Sequence, residues 1–193
     1  MKRYGVSLAA IRRFSVSVMA FLPLWSYAQG ETIDDVLQHV PMATTLALRT
    51  CGVKSQSDSW AEFLASTGAS YVLAAGVAYS LKHSVHEWRP DDSDQKSFPS
   101  GHASMAFAAA RSLDKEFRKD CIWIPIAGYA AATAIGVERV VNDHHHWYDV
   151  VAGAALGFGA AELTWWASDK LLGSDSNVAV GTSGSTVDVV YRF

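Results

Sequence analysis

The chain has 193 residues, half of them apolar and 18% charged, with a net charge of -3 and a mean hydropathy of +0.09. That length suits one domain with a sizeable core, and the charge excludes the broad basic field expected of a nucleic-acid binder. The hydropathy is high for a soluble domain and low for a polytopic membrane protein.

Lys2, Arg3, Arg12 and Arg13 form a positive start, followed by a short apolar run from Phe14 to Trp25 that Pro23 interrupts. Ser26-Tyr27-Ala28 supplies small residues where a signal peptidase reads them. Residues 1–28 are therefore expected to be a signal peptide, and the mature chain to begin at Gln29. An uncleaved anchor is the alternative, disfavoured because the run is shorter than the ~20 residues of a spanning helix. Export makes Cys51 and Cys121 permissive for a disulfide.

The mature chain predicts an all-α, up-and-down bundle of about five helices over residues 29–172, with an accessory tail over 173–193. The first helix is expected over 32–50, with Asp34 and Asp35 near its start, where negative charge suits the helix dipole. The second, over 59–82, carries no charge between residues 63 and 81. The third, over 100–117, starts at Pro99-Ser100, a cap, and carries a face of small residues. The fourth, over 121–137, is uncharged, and the fifth, over 147–167, is interrupted after Asp149 only by Glu162. Three stretches, 63–81, 121–137 and 150–168, approach membrane-spanning length. A membrane-embedded bundle is favoured over a freely soluble one. In the tail, residues 177–180 and 186–193 are β-leaning runs about Gly181 and Gly184 that predict a short hairpin.

Six of the seven histidines fall between residues 83 and 146, in or between three polar stretches. In the first, Lys82 and Arg89 are seven apart, which on a continuous helix places two cations on one face, and Pro90 ends the helix there. Two cations at a helix end suit an anion such as phosphate. In the second, Pro99-Ser100-Gly101-His102, a helix start with free backbone N–H groups makes an anion cradle, and His102 stands beside it as a proton donor. In the third, Arg139 precedes His144-His145-His146, and Asp149 follows. His145 and Asp149 are four apart, so a helix beginning near 145 brings them together. A carboxylate on one imidazole nitrogen leaves the other free to attack. The bland readings are snorkelling cations, a capping serine and a solvated or loosely metal-binding histidine loop.

Taken in order, Lys82-x6-Arg89-Pro90, Pro99-Ser100-Gly101-His102 and Arg139-x5-His145-x3-Asp149 resemble the type 2 phosphatidic acid phosphatase and haloperoxidase superfamily. The resemblance covers roughly residues 60–168. It implies a helical bundle with a metal-free phosphate site and no cofactor. It makes His145 the nucleophile, Asp149 its orienting partner and His102 the acid for the leaving oxygen. It gives the phosphoryl oxygens to Lys82, Arg89, Arg139, Ser100 and the Gly101 amide. The chain departs from the pattern at Glu138, where the family usually has Ser. A carboxylate there is expected to pair with Lys82 or Arg139, or to face away.

The expected activity is hydrolysis of a phosphomonoester, with a lipid phosphate as substrate. The alternatives are a soluble periplasmic acid phosphatase of broad specificity, a vanadate-dependent haloperoxidase and a non-catalytic phospholipid-binding protein. The expected location is the cell envelope, in the inner membrane with the site facing the periplasm. The alternatives are a soluble periplasmic or an outer-membrane-associated protein. No nucleic-acid or protein partner is expected. The topology puts all three motifs at one end of the bundle and both cysteines at the other.

Overall fold

The computed structural model describes residues 36–172, 178–183 and 186–191. The signal peptide, its cleavage point, Asp34 and Asp35 lie outside the described residues. Five helices run in chain order: α1 (Val40–Thr50), α2 (Trp60–Ser84), α3 (Gly101–Phe117), α4 (Trp123–Val141) and α5 (Trp147–Leu172). Two strands, β1 (Val178–Ser183) and β2 (Thr186–Tyr191), follow as the predicted antiparallel hairpin, with Val178 opposite Tyr191. The helical bundle matches the expected class, and several of its boundaries differ.

Helix α1 starts at Val40 with Pro41 in its first turn, where the missing N–H costs nothing, and the expected start at 32 lies outside the described residues. Helix α2 starts as predicted, because the Ser59 hydroxyl accepts from the Glu62 amide at 3.1 Å and Glu62 accepts from the Asp58 amide at 3.0 Å. It ends at Ser84, where Val85 turns extended. Lys82 and Arg89 therefore do not share a helical face. Residues after Val85 leave the helix and Glu87 forms a parallel bridge to Lys96 instead. Helices α4 and α5 run further than their expected ends at 137 and 167, so Arg139 belongs to the last turn of α4.

Helix α3 is the centre of the bundle and packs against all four other helices. Its alanines make this possible: Ala103, Ala106, Ala108, Ala109 and Ala110 are fully buried. Where α5 crosses α3, even a methyl group would not fit. A Cβ at Gly157 would clash with the Ser104 carbonyl and lie 2.8 Å from the Ala108 amide. Gly136 of α4 is similarly close to Val150, at 2.7 Å from its Cγ1. Close helix approach through small residues replaces bulky interdigitation here. The larger side chains gather at the end away from the motifs, where Leu48, Phe63, Leu113 and Phe117 form one cluster with Val53 and Ile124 against it. That cluster joins the ends of α1 and α3 to the start of α4, so Cys51 and Cys121 flank the same end, both as free thiols.

The outer surfaces are apolar too. Helices α2, α4 and α5 are each long and apolar enough to cross a membrane, and under a third of each apolar window is buried inside the bundle. Val72, Val137, Val151, Leu163 and Trp166 are all more than half exposed. Apolar surface on this scale marks a membrane protein rather than a set of scattered exposed residues.

Candidate active site

Helix α2 arrives at the site and helix α3 leaves from it; α4 returns and α5 leaves again. The C-terminal ends of α2 and α4 and the N-terminal ends of α3 and α5 therefore meet. Two connections stitch them together. After α4, Asp143 adopts a left-handed φ of 57°, and the amides of His144 and His145 both donate to the Arg139 carbonyl at 3.1 Å. This reversal sets His145 against the last turn of α4. Before α3, the Ser100 hydroxyl accepts from the Ala103 amide at 3.4 Å, and the Ser100 amide donates to the Asp149 carbonyl at 3.0 Å. The start of α3 is thereby bonded to the start of α5.

All eight residues named from the sequence stand at this end. His145 is buried, with 2% of its side chain exposed. Lys82, Arg89, Arg139 and His102 all act on it electrostatically. Burial, followed by these four groups, pushes its imidazole down to about 2, so it is neutral at ordinary pH. Lys82 reaches the site from α2, its Nζ donating to the Lys96 carbonyl at 2.7 Å and, more weakly, to the Ser97 carbonyl at 3.5 Å. A Cβ on Gly101 would lie 3.6 Å from Lys82 Cε, so lysine and cradle are in contact range. Arg89 comes from the loop after α2. Its Nε donates to Asp94 Oδ1 at 2.8 Å and its Nη1 to the His144 carbonyl at 3.4 Å. The loop, rather than a shared helical face, brings Arg89 beside Lys82. Arg139 is buried in α4.

The His145–Asp149 pair departs from the expectation of direct contact. Asp149 is fully buried, and its Oδ2 is 3.8 Å from His145 Nδ1, too far for a hydrogen bond. The same oxygen accepts from the His146 amide at 2.9 Å, which caps the start of α5, and from the Ser97 hydroxyl at 2.5 Å. Ser97 is a site residue that sequence reasoning missed. It lies outside the three motifs, and its only sequence signal is a position two residues before Pro99.

Glu138, the departure from the family pattern, accepts from the Asn142 side chain, and its Oε2 is 3.9 Å from Arg139 Nη1. It is drawn along its own helix, with a loose contact to one of the two cations expected. Of the three consecutive histidines, His146 alone joins a group able to hold an ion, with Glu87 and Asp149. Both carboxylates of that group already accept hydrogen bonds, Glu87 from the Tyr148 hydroxyl at 2.5 Å and Asp149 as described.

Residues 63–172 match the profile of the PAP2 superfamily. The chain belongs to that superfamily. A lipid A 1-phosphatase of Porphyromonas gingivalis is 39% identical over 139 residues, which is 72% of this chain and 31% of that protein. Lipid phosphate phosphatase 1 of Saccharomyces cerevisiae is 35% identical over 88 residues, covering 42% of this chain and 31% of the relative. The chain thus spans about a third of the length of these two PAP2 relatives. The crystal structure of Aquifex aeolicus LpxE aligns with a TM-score of 0.52 at 21% identity, over 76% of this chain and 93% of that one, which shows a shared fold.

Proposed function

We propose that this PAP2 protein is a phosphatase that removes a phosphate monoester from a lipid through a phosphohistidine on His145. The observation that carries the reading is a buried, neutral imidazole surrounded by Lys82, Arg89, Arg139 and His102 beside the N-terminus of α3. A neutral imidazole has a lone pair to attack with, and phosphoryl transfer needs positive charge about the equatorial oxygens more than anything else.

In the first step His145 attacks phosphorus through Nε2, and the ester P–O bond breaks. The leaving oxygen takes a proton from His102 and departs as the lipid alcohol. Lys82, Arg89, Arg139, the Ser100 hydroxyl and the Gly101 amide hold the three phosphoryl oxygens. In the second step a water gives its proton to His102 and attacks the phosphorus, and the P–N bond breaks. His145 is restored and inorganic phosphate leaves. No cofactor or metal takes part in either step.

A lipid substrate is supported by the names of the two relatives and by the aromatic residues around the site. Trp88 and Trp147, 52% and 67% exposed, flank the cation loop and the start of α5, and such rings favour the headgroup level of a bilayer. The reading places the protein in the inner membrane; with the N-terminus exported and the segment before α2 crossing first, this end lies toward the periplasm. The exposed Cys51 at the other end then faces the cytoplasm. A membrane-impermeant maleimide should label it only in permeabilised cells, and labelling in intact cells would reverse the topology.

The test of activity is phosphate release by the full chain in detergent from phosphatidic acid, a lipid A phosphate and para-nitrophenyl phosphate. Preference for the lipids is expected. Equal or faster turnover of the soluble ester would favour a broad-specificity phosphatase, and no release from any of them would overturn the proposal.

A further inference from the structure

We infer that Ser97 is the positioning residue that couples Asp149 to His145, a role that rests on the reading of His145 as nucleophile. The side chain is completely buried. Its hydroxyl lies between the two partners, 2.5 Å from Asp149 Oδ2 and 3.5 Å from His145 Nδ1, while those two atoms are 3.8 Å apart. The hydroxyl thus occupies the place of the direct contact that the i,i+4 spacing suggests.

Proton counting fixes the direction of the chain. An ionised carboxylate only accepts, and a serine hydroxyl has one hydrogen. The contact to Asp149 is the shorter, so that hydrogen goes to Oδ2 and the oxygen presents a lone pair to His145. The imidazole then carries its proton on Nδ1, which leaves the Nε2 lone pair for phosphorus. When Nε2 takes the phosphoryl group the ring becomes cationic. The Nδ1 proton then points along Ser97 to the Asp149 charge, so the chain stabilises the intermediate and holds the ring in plane for attack.

The backbone holds Ser97 in place from two sides. Its amide donates to the Glu87 carbonyl at 3.0 Å, next to the Glu87–Lys96 bridge, and its carbonyl is 3.5 Å from Lys82 Nζ. Ser97 therefore ties the loop after α2 to the start of α5. Displacement of Lys82 by a bound phosphate would be felt directly by the group that orients the nucleophile.

The experiment is a double-mutant cycle of Ser97→Ala and Asp149→Asn in the full chain, assayed with phosphatidic acid in mixed micelles. Ser97→Ala should lower kcat by about 10- to 100-fold, the range seen when a group orienting a ligating histidine is lost, with little change in KM. In the Asp149→Asn background the same change should cost almost nothing, since the partner of the hydroxyl is already impaired. A kcat equal to wild type, or the same penalty in both backgrounds, would overturn the inference. A second readout needs no turnover. The ¹⁵N spectrum of labelled His145 should report an Nδ1-protonated tautomer in the wild type and a mixture in Ser97→Ala, and an unchanged tautomer would also overturn it. Were the wild type to release no phosphate, the phosphatase reading would fail while the tautomer still decided the role of Ser97.

Discussion

Helix α3 has a cluster of charge at each end. At its N-terminal end are Lys82, Arg89 and Arg139 about His145. At its C-terminal end, Arg111, Lys115 and Arg118 meet Asp114 and Glu162. The distal cations are matched by carboxylates. Arg111 bonds both Asp114 and Glu162, Lys115 is 2.9 Å from Glu162, and Arg118 bonds Asp114 with a second contact of 2.8 Å. Asp114 is 1% exposed and also accepts from the Tyr129 hydroxyl at 3.3 Å, and Arg111 stacks on Phe158. At the site end, Lys82 is held by carbonyl oxygens, and the partner of Arg89, Asp94, has 43% of its side chain exposed on a short loop. One cluster is centred on a buried aspartate, Asp114, with the partly exposed Glu162 beside it; the other holds Lys82 on carbonyl oxygens and Arg89 on an exposed loop aspartate, partners an incoming anion can replace. A cluster matched through a buried aspartate suits holding helices together; cations held by replaceable partners suit the phosphate binding proposed above.

The largest expected effect comes from removing the centre of the open cluster. His145→Ala should reduce phosphate release on the order of 10³-fold or more, as loss of a nucleophile does, while His144→Ala and His146→Ala should be far milder. Acid-labile phosphate from quenched enzyme should map to His145, and its mapping to another residue would refute the assignment. The depressed imidazole also sets a sign for stability. The folded state holds His145 neutral down to about 2, whereas the unfolded chain protonates it near 6.5. The unfolded chain binds the extra proton in that window, so the His145 contribution favours unfolding increasingly as pH falls below about 6.5 and levels off near 2. Above 6.5 both states are neutral and the contribution vanishes. In an acid-unfolding series, His145→Ala should be less acid-sensitive than wild type.

Next in size is the closed cluster. Asp114→Ala should destabilise the bundle by about 3 kcal/mol, because it leaves the half-buried Arg111 and the Tyr129 hydroxyl short of a partner. Thermal unfolding in detergent should show the loss, with kcat per folded molecule unchanged. A mutant with native stability but reduced kcat would erase the distinction drawn between the two ends.

These two clusters were unequally legible in the sequence. The site residues sit in short motifs with fixed spacing, so His102, His145, Asp149 and the cations could be named, and helix direction put them at one end. The helices themselves were legible from apolar runs between caps, although Val40 and Ser84 show that boundaries depend on a proline and on a β-branched residue turning extended. Arg89 reaches the cluster through the loop and not on the helical face that its spacing from Lys82 suggests, since pairing of Glu87 with Lys96 overrides a helical continuation. Ser97 was invisible because its role arises from a contact across 52 residues to Asp149, which no local pattern encodes. The distal cluster was equally hidden: Arg111 and Glu162 are 51 residues apart on helices whose crossing is fixed by Gly153 and Gly157.

The smallest expected effect falls at Glu138, and it sharpens the comparison most. A carboxylate next to Arg139, proposed to bind phosphate, would convert the open cluster into a matched one if it closed the pair as Asp114 does. The geometry argues otherwise. Glu138 gives one oxygen to the Asn142 side chain, and its other oxygen is 3.9 Å from Arg139, beyond hydrogen-bond range. Its side chain is 30% exposed, where water screens the attraction and an ion pair is worth about 0–1 kcal/mol. Glu138 is therefore expected to add a modest repulsion to any phosphate that approaches. Glu138→Ser should retain kcat within about threefold and lower KM by a few-fold, on the scale of that screened interaction. The KM difference should shrink as salt is raised, because the repulsion is screened. A loss as deep as that of His145→Ala would make Glu138 part of the reacting set. A KM that rises on substitution would mean that the carboxylate orients Arg139 instead of opposing its ligand.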